Sequence, residues 1–560
     1  MSAQHPQGAA PTPRRPVARL SRYGLADTRR AAELLGVDAG LVWWDPTRMA
    51  PVDEESATLL SALAGTADPD LALLQLHRFA AAQHDSAGDE DLAGTGLLRA
   101  MRSEPGLADR LLSVLGASAA LGDHLVACPD DWRVLTDARF PYGRRDVASL
   151  SDELRTAVRG ATGPEAVSAL RLAYRRVLLC VAAADLTGLR GVEEVMAELA
   201  DLADATLRAA LSIAEAEQPA GAEPFRLSVI AMGKTGGDEL NYVSDVDVLF
   251  VAEPAATGGP SATGAPMEAT DPDAALRAAT GVAARLMDVC RQVAWPVDAG
   301  LRPEGRDGPL VRTVASYHAY YVRWAKTWEF QALLKARPAA GDAALGEEWL
   351  DSVRPLIWQT ADGAERPSMV AEIRAMRRRV EDQLPAGEAE REIKLGRGGL
   401  RDIEFAVQLL QLVHGRSDET LRSPSTLTAL RALTDGGYVG RSDGEELDSA
   451  YQFLRAIEHR LQLQQLRRTH RIPDDEAGLR WLAQALGYRP DGDRSAVRGF
   501  LRDWSTLARN VRRLHEKLLY RPLLAAVAKV PTDALRLTSG QAESRLAALG
   551  FADPAGALRH

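Results

Sequence analysis

Residues 232–250 read MGKTGGDELNYVSDVDVLF, and this stretch decides the fold. An apolar, partly β-branched run at 225–232 precedes it and a second run closes it at 245–251, which predicts two strands joined by a glycine-rich turn. Side chains alternate between the two faces of a strand, so Asp245 and Asp247 point the same way. Two carboxylates so close repel each other unless a hard cation lies between them, and Mg²⁺ is the usual ion. The pattern therefore predicts a magnesium site, with a solvated strand end as the alternative.

Asp298 offers a third carboxylate for this site. It lies in a candidate strand at 295–301, where an acid is costly unless it is paired or binds metal. Three carboxylates can hold two Mg²⁺ ions, as in metal-dependent phosphoryl transfer. Arg302 follows the strand and could bind a phosphate through its planar guanidinium group. The alternatives are a strand-end turn residue at Asp298 and a plain surface role for Arg302, and residues 309–313 are a candidate fourth strand.

The glycine-rich turn between the first two strands suits phosphate oxygens, because backbone amides in such turns form anion-binding concavities. A Walker A motif requires glycine five residues before its Gly-Lys pair, but Ser228 occupies that position, so we exclude a P-loop. The residues that we expect to position phosphates are Gly233, Lys234, Gly236, Gly237 and Ser244.

A second glycine-rich motif lies at 392–405 and reads EIKLGRGGLRDIEF. It places Lys394, Arg397 and Arg401 near glycines before a predicted helix. We expect Lys394 and Arg397 to bind phosphate or nucleotide, although packing of the start of the helix explains the motif equally well. The chain has only six lysines among its 67 basic residues, so a lysine inside a motif is an informative choice.

The rest of the chain is predicted to be helical. Its 560 residues suggest three or four domains, and an aromatic content of only 5% favours helix packing over an all-β core. The net charge of −10 argues against a non-specific nucleic-acid binder. No apolar run is long enough to span a membrane, and three isolated cysteines without zinc-site spacing indicate a cytoplasmic protein.

Two features of the predicted helices are interpreted as structural. Glu458, His459 and Arg460 lie inside an amphipathic helix at 447–466, where they are expected to form internal ion pairs and packing contacts rather than to bind a ligand. Trp324 and Trp328 are four residues apart, and we expect them in the core rather than as a platform for a nucleotide base.

The quoted stretches together resemble glutamine synthetase adenylyltransferase/deadenylyltransferase, a family of the DNA polymerase β-like nucleotidyltransferase superfamily. Residues 232–250 are similar to the nucleotidyltransferase motif of that family, and the likeness covers roughly residues 150–519. The pair Ala299-Gly300 departs from it, because the family commonly has a bulkier or charged pair there. Three further stretches fit in the family's order, at 297–303, at 392–405, and at 453–463 with Thr469-His470.

The resemblance implies an α+β, mostly helical fold. A small mixed-sheet nucleotidyltransferase domain is expected between N-terminal and C-terminal all-helical domains, and the latter is expected to be similar to the domain associated with PII uridylyltransferases. The boundaries that we predict are a disordered leader at 1–19, a helical domain at 20–150, the nucleotidyltransferase (deadenylylase) domain at 151–355, the second helical domain at 356–525, and a linker towards a missing adenylyltransferase half at 526–560.

The resemblance also implies an activity. Full-length family members hold a deadenylylating N-terminal half and an adenylylating C-terminal half. This chain has one Ser-Asp-x-Asp copy, and its Glu-Leu-Asn-Tyr-Val-Ser form is similar to the N-terminal type. The implied reaction is attack of inorganic phosphate on the AMP carried by a tyrosine of glutamine synthetase, which gives ADP and the unmodified synthetase. Asp245, Asp247 and Asp298 would be the catalytic carboxylates that hold two Mg²⁺ ions.

Two alternatives stay open. The first is the forward reaction, in which AMP passes from ATP to glutamine synthetase with release of pyrophosphate. The second is a non-catalytic scaffold that binds PII or glutamine synthetase. The expected partners are adenylylated glutamine synthetase, inorganic phosphate or ADP, a nucleotide and the PII signal protein, and neither nucleic acid nor a membrane.

Overall fold

The computed structural model describes residues 20–36, 41–87, 95–137, 143–255, 271–359, 366–382, 387, 389–490 and 495–520. The chain divides into two compact units, of which the first comprises residues 1–140 with 182–187 and the second comprises residues 141–181 with 188–560. The predicted leader at 1–19 and the predicted linker at 526–560 lie outside the described residues. The domain boundaries drawn from the sequence stay predictions.

The first unit is helical and carries a short antiparallel hairpin. Its helices begin where polar side chains cap them, since Asp53 accepts a hydrogen bond from Ser56 N and Ser118 accepts one from Leu121 N. Leucines at helical spacing fill its interior. The described elements are α1 (Thr28–Leu34), β1 (Trp44–Asp45), β2 (Ala50–Pro51), α2 (Glu54–Ala64), α3 (Pro69–Ala87), α4 (Thr95–Ser103), α5 (Leu107–Ala117) and α6 (Ala119–Ala127), with 3₁₀ turns at Ser21–Tyr23 and Asp131–Thr136.

The second unit holds a five-stranded mixed sheet among helices, which confirms the predicted α+β, mostly helical fold. None of the described helices is both long and apolar enough to cross a membrane. The described elements are α7 (Val147–Ala157), α8 (Gly163–Leu186, which ends in residues of the first unit), α9 (Val192–Ala216), β3 (Phe225–Ala231), α10 (Gly233–Gly236), β4 (Val246–Pro254), α11 (Pro272–Val293), β5 (Val297–Asp298), β6 (Val311–Arg312), α12 (Val314–Arg323), α13 (Thr327–Leu333), β7 (Arg337–Gly341), α14 (Ala343–Gln359), α15 (Arg366–Asp382), α16 (Leu400–His414), α17 (Thr426–Asp435), α18 (Arg441–Leu463), α19 (Glu476–Ala485) and α20 (Ala496–Tyr520).

The sheet has the strand order β5-β4-β3-β7, and β6 also pairs with β4. β3 and β4 are antiparallel and form the two strands predicted on either side of the glycine-rich turn. The strands predicted at 295–301 and 309–313 are present as the shorter β5 and β6, both parallel to β4. The sequence analysis missed β7, because residues 337–341 (Arg-Pro-Ala-Ala-Gly) include no β-branched residue, and a proline fits an edge strand such as this one.

A crossover helix brings β5 alongside β4. α11 begins where Asp271 accepts a hydrogen bond from Asp273 N and where Pro272 occupies the first turn, two features that favour a helix start. The helix packs on β3 and β4 and returns the chain so that β5 runs parallel to β4. This connection places the residues that follow α11 beside the residues that begin β4.

The sheet and the C-terminal helices share one hydrophobic core. Leu249 and Val251 of β4 belong to the same buried cluster as Tyr317 of α12, Trp349 of α14 and Phe405 of α16. This core therefore includes residues from both sides of the predicted boundary at 355–356, which stays a prediction.

The prediction for the two tryptophans is wrong. Trp324 is 67% exposed and Trp328 is 39% exposed, so neither lies in the core. The spacing of four residues would place them on one face of a continuous helix, but α12 ends at Arg323 and α13 begins at Thr327. The break between the two helices removes the shared face on which the prediction depended.

Candidate functional site

The three predicted aspartates lie at one end of the sheet. β4 and β5 run parallel with Asp247 opposite Asp298, so these two carboxylates share a face of the sheet. Asp245 directly precedes β4, two residues before Asp247. Asp298 is oriented locally, because its Oδ1 accepts a hydrogen bond from Gly300 N at 2.7 Å.

The pKa of Asp247 is clearly raised above its ordinary value. Burial, the largest cause, and the negative charges of Asp298 and Asp245 together raise its pKa to about 6, while Lys394 and Arg401 act in the opposite direction. Its carboxylate makes no hydrogen bond or ion pair with any residue that the structure describes. A crowded carboxylate without a cationic partner is the environment that a bound divalent cation would relieve.

The backbone of Gly233 lies against this carboxylate. Gly233 has φ +54°, a conformation that side chains with a Cβ rarely adopt, and a Cβ at this position would clash with Asp247 Oδ2. Met232 N donates a hydrogen bond to Asp247 O at 2.9 Å, which fixes the turn against the start of β4. Glycine is therefore required at position 233, both for the backbone conformation and for the approach to Asp247.

We expect Gly233→Ala to reduce activity strongly, by about 10²-fold, because the added methyl group displaces Asp247 from its position opposite Asp298. The matched control is Gly281→Ala in α11, where a Cβ meets nothing within 4 Å and alanine favours the helix. Steady-state rates of both variants test this. Equal activity of the Gly233→Ala and Gly281→Ala proteins would show that the approach of Gly233 to Asp247 has no catalytic importance.

Gly236 and Gly237 are explained by close packing. A Cβ on Gly236 would clash with the carbonyl oxygen of Lys335, and a Cβ on Gly237 would lie 2.9 Å from the carbonyl oxygen of Pro424. Both glycines let the turn pack against other segments of the second unit. Their amides as phosphate ligands stay a prediction.

Lys234 is buried and paired. Its Nζ donates to Glu458 Oε1 at 2.8 Å and to Asn241 Oδ1 at 3.1 Å. The pKa of Lys234 is lowered to about 7, mainly by burial; Arg455 adds to this effect and Glu458 opposes it. The structure thus ties this lysine to α18, and its role in positioning phosphates stays a prediction.

Glu458 is the centre of a buried charge cluster, which confirms its interpretation as an internal ion-pair residue. It also pairs with Arg455 at 2.9 Å, and both side chains are fully buried. Burial alone would raise the pKa of Glu458, but the positive charges of Lys234 and Arg455 outweigh burial and hold it well below the usual range. Glu458 is therefore ionised at neutral pH.

α18 also holds the segment that joins the glycine turn to β4, which the sequence analysis did not predict. Gln462 Oε1 accepts hydrogen bonds from Asn241 Nδ2 at 2.6 Å and from Val243 N at 2.9 Å. Arg455 donates to the carbonyl oxygens of Glu239 and Leu240. Residues 453–463 include many hydrophilic side chains, which is unusual for a buried helix. This composition was the signal in the sequence for such hydrogen bonds.

The second glycine-rich motif contributes cations to the site. Lys394 is half-buried, and its ammonium group makes no hydrogen bond or ion pair within the described part of the chain. Burial lowers its pKa, Arg401 adds to that effect, and Glu458 and Glu404 oppose it. Arg401 donates to Glu404 at 2.9 Å, and Arg397 is exposed. Lys394 is thus the cation of this motif that is placed to accept an anion.

Arg468 is a site residue that the sequence analysis missed. Its guanidinium group forms an ion pair with Asp245, although Arg468 lies beyond the end of α18 and 223 residues along the chain. The signal was its position directly before Thr469-His470, one of the stretches that carry the family resemblance. Among the described residues, Arg468 is therefore the cation that contacts the predicted metal ligands directly.

The remaining predicted residues have local roles in the structure. Arg302 donates through Nε, Nη1 and Nη2 to the carbonyl oxygens of Gly308, Ala299 and Arg306, so it closes its own loop. Ser244 is half-buried directly before Asp245. For both residues, phosphate binding stays a prediction.

The residues present fit a divalent cation. Three carboxylates are hard oxygen ligands, and the crowding at Asp247 favours a positive ion between them. The three carboxylates do not bring their oxygens within 4.8 Å of one another in the described structure, where Asp245 pairs with Arg468.

Two family models match this chain. Residues 108–352 match the model described as glutamate-ammonia ligase adenylyltransferase, and residues 368–519 match the model described as GlnD PII-uridylyltransferase. These matches confirm the resemblance inferred from the motifs.

Curated relatives agree with the family models. A bifunctional glutamine synthetase adenylyltransferase/adenylyl-removing enzyme of Streptomyces coelicolor is 53% identical over 97% of this chain and 51% of its own length. Enzymes of the same name from Nocardia farcinica and Mycobacterium avium are each 48% identical, over 98% and 97% of this chain and 53% and 51% of their own lengths. The chain spans about half the length of the curated relatives that it matches.

Proposed function

Because residues 108–352 carry the domain of the glutamate-ammonia ligase adenylyltransferase family, we propose that this chain is a Mg²⁺-dependent nucleotidyltransferase that removes AMP from an adenylylated tyrosine of glutamine synthetase. The observation that carries the proposal is the register of β4 and β5, which places Asp247 opposite Asp298 beside the backbone of Gly233. Phosphoryl-transfer sites require such convergent carboxylates, because the reaction depends on positioning and on charge neutralisation.

In the proposed reaction an oxygen of inorganic phosphate forms a bond to the phosphorus of the AMP group. The bond from that phosphorus to the tyrosyl oxygen breaks, the tyrosyl oxygen takes up a proton, and the products are ADP and unmodified glutamine synthetase. Bound Mg²⁺ would neutralise the charge that develops on the phosphoryl oxygens. Asp245, Asp247 and Asp298 would hold two such ions.

The cations of the site are proposed to hold the anionic groups of the substrates. Lys394 has a half-buried ammonium group without a hydrogen bond or ion pair to the described residues, so it can bind a phosphate without first breaking a contact. Arg397, on the exposed side of the same motif, is proposed to contact the nucleotide phosphates. Lys234 is proposed to act with the turn amides, held in place by Glu458.

The three carboxylates do not determine the direction of the reaction. Similarity of the Glu-Leu-Asn-Tyr-Val-Ser segment to the N-terminal type favours removal of AMP, whereas the relatives are named for both activities. The chain incubated with adenylylated glutamine synthetase, phosphate and Mg²⁺ should release ADP. Release of pyrophosphate from ATP and unmodified synthetase, with no ADP in the first assay, would assign the forward reaction instead. A scaffold would show neither product and no Mg²⁺-dependent nucleotide binding.

The match of residues 368–519 to a PII-uridylyltransferase model supports the PII signal protein as a proposed partner. Glutamine synthetase in its adenylylated form is the other proposed partner, because it carries the group to be removed. Co-sedimentation of the chain with each purified protein tests these partners separately from catalysis.

Binding of Mg²⁺ is expected to weaken as the pH falls below about 6. The pKa of Asp247 is raised to about 6, so protons compete with the metal ion at pH 5 but hardly at pH 8. Calorimetric titrations with Mg²⁺ at pH 5, 6, 7 and 8 measure this, and Asp247→Asn should flatten the dependence in that window. Equal affinity at pH 5 and pH 7 in the unaltered chain would contradict the assignment of Asp247 as a ligand.

A further inference from the structure

A second group of metal-binding side chains lies in the first unit, separate in sequence from the aspartates of the sheet. His124 lies in the last turn of α6, Cys128 follows the end of that helix, and Asp131 begins the 3₁₀ turn. A ring nitrogen, a sulfur and a carboxylate oxygen from these residues all lie within 4.8 Å of one another. The spacing of four and then three residues brings them together, because the chain turns where α6 ends.

The geometry at His124 points to a ligand rather than to a hydrogen bond. Its side chain is only 9% exposed, and its Nε2 makes no hydrogen bond in the described structure. Nε2 lies 2.9 Å from Asp131 Oδ2, which makes an ion pair when the imidazole is protonated. A buried imidazole nitrogen rarely lacks a hydrogen bond, since its desolvation is then uncompensated.

We propose that His124, Cys128 and Asp131 bind a divalent transition-metal ion of the zinc class. Thiolate, imidazole and carboxylate are the ligands that Zn²⁺ takes in proteins, and they distinguish this site from the aspartates of the sheet, whose oxygens suit Mg²⁺. A thiolate and a carboxylate together balance the two positive charges of the ion. Three protein ligands leave a fourth position for water or for a further ligand.

The spacing between the cysteines does not indicate this site. Its ligands are one cysteine with a histidine four residues before it and an aspartate three residues after it. Such a short mixed cluster becomes a candidate only when the turn after α6 is seen to bring its donor atoms together.

Titration of the full chain with Co²⁺ after removal of metals by a chelator tests the proposal. Co²⁺ bound to a thiolate gives a sulfur-to-metal charge-transfer band in the near ultraviolet, and Co²⁺ bound only to carboxylates does not. We expect this band to saturate at about one ion per chain, to disappear when Zn²⁺ is added, and to persist in excess Mg²⁺. Ions that bind the aspartates of the sheet therefore do not interfere with the readout.

Matched variants assign the band to its ligands. Cys128→Ala should abolish it and His124→Asn should weaken Co²⁺ binding by about tenfold or more, whereas Cys290→Ala, at a buried cysteine of α11, should retain it. Absence of the band in the unaltered chain would overturn the proposal without relying on any variant. So would a band that survives Cys128→Ala, and in that case a buried contact between His124 and Asp131 would be the whole role of the cluster.

Discussion

Asp247→Asn is expected to lower the rate of AMP removal by about 10²–10³-fold while the fold is retained. Asparagine keeps the shape of the side chain but removes the charge that would bind Mg²⁺ opposite Asp298. The measurement is the rate of ADP release from adenylylated glutamine synthetase at saturating Mg²⁺. Asp288→Asn is the matched control, because Asp288 lies on α11 and forms ion pairs with Arg285 and Arg291 at the surface.

The stability of the same variant separates catalysis from folding. The pKa of Asp247 is raised to about 6 in the folded chain, so the ionised side chain opposes folding above that pH when no metal is bound. Without Mg²⁺ at pH 8, Asp247→Asn should therefore unfold at the same temperature as the unaltered chain or at a higher one. The difference should vanish near pH 4, where the carboxyl is protonated in the folded chain. A fall in melting temperature together with the loss of activity would point to a structural role instead.

Glu458→Gln is expected to destabilise the second unit by about 3–5 kcal/mol, because it leaves Lys234 and Arg455 buried without their carboxylate. The pKa of Glu458 is lowered in the folded chain, so its contribution is present at neutral pH and is lost as the pH falls below its ordinary value of 4.5. Urea unfolding at pH 7 measures the loss, and the difference from the unaltered chain should shrink in acid.

Glu446→Gln is the matched control on the same helix. Glu446 pairs with Arg513 where both side chains are largely exposed, so its loss should change the free energy of unfolding by no more than about 0.5 kcal/mol. If Glu458→Gln lowers the free energy of unfolding by no more than Glu446→Gln does, the buried ion pairs of Glu458 do not stabilise the second unit as the structure indicates. A double-mutant cycle with Lys234→Met then measures how much of the effect passes through Lys234.

α18 therefore supports the predicted site from a distant part of the chain. Gln462 binds the segment before β4 through Asn241 and Val243, and Glu458 holds Lys234 beside the glycine turn. A substitution that shifts α18 should therefore also shift the aspartates, because this segment connects them. Residues that match the GlnD PII-uridylyltransferase model thus form part of the framework around the three aspartates.

Local patterns in the sequence predicted the central strands and the aspartates. Short apolar, partly β-branched runs define β3 and β4, and the spacing of Asp245 and Asp247 places both near one face. β7 escaped prediction because its pairing with β3, not its composition, makes it a strand. The exposed tryptophans escaped because a helix break lies between them, which periodicity alone does not reveal.

The sequence by itself determined the mostly helical α+β class, the glycine-rich turn and the three carboxylates, because these depend on residues close together along the chain. Only the tertiary structure showed that Lys234 pairs with Glu458, 224 residues away, and that Arg468 contacts Asp245 across 223 residues. Charged residues on a helix read in sequence as a solvated face, and their partners are decided by which surfaces the hydrophobic core brings together. Burial strengthens the attraction within the Lys234–Glu458 pair, whereas the Arg468–Asp245 pair is partly exposed.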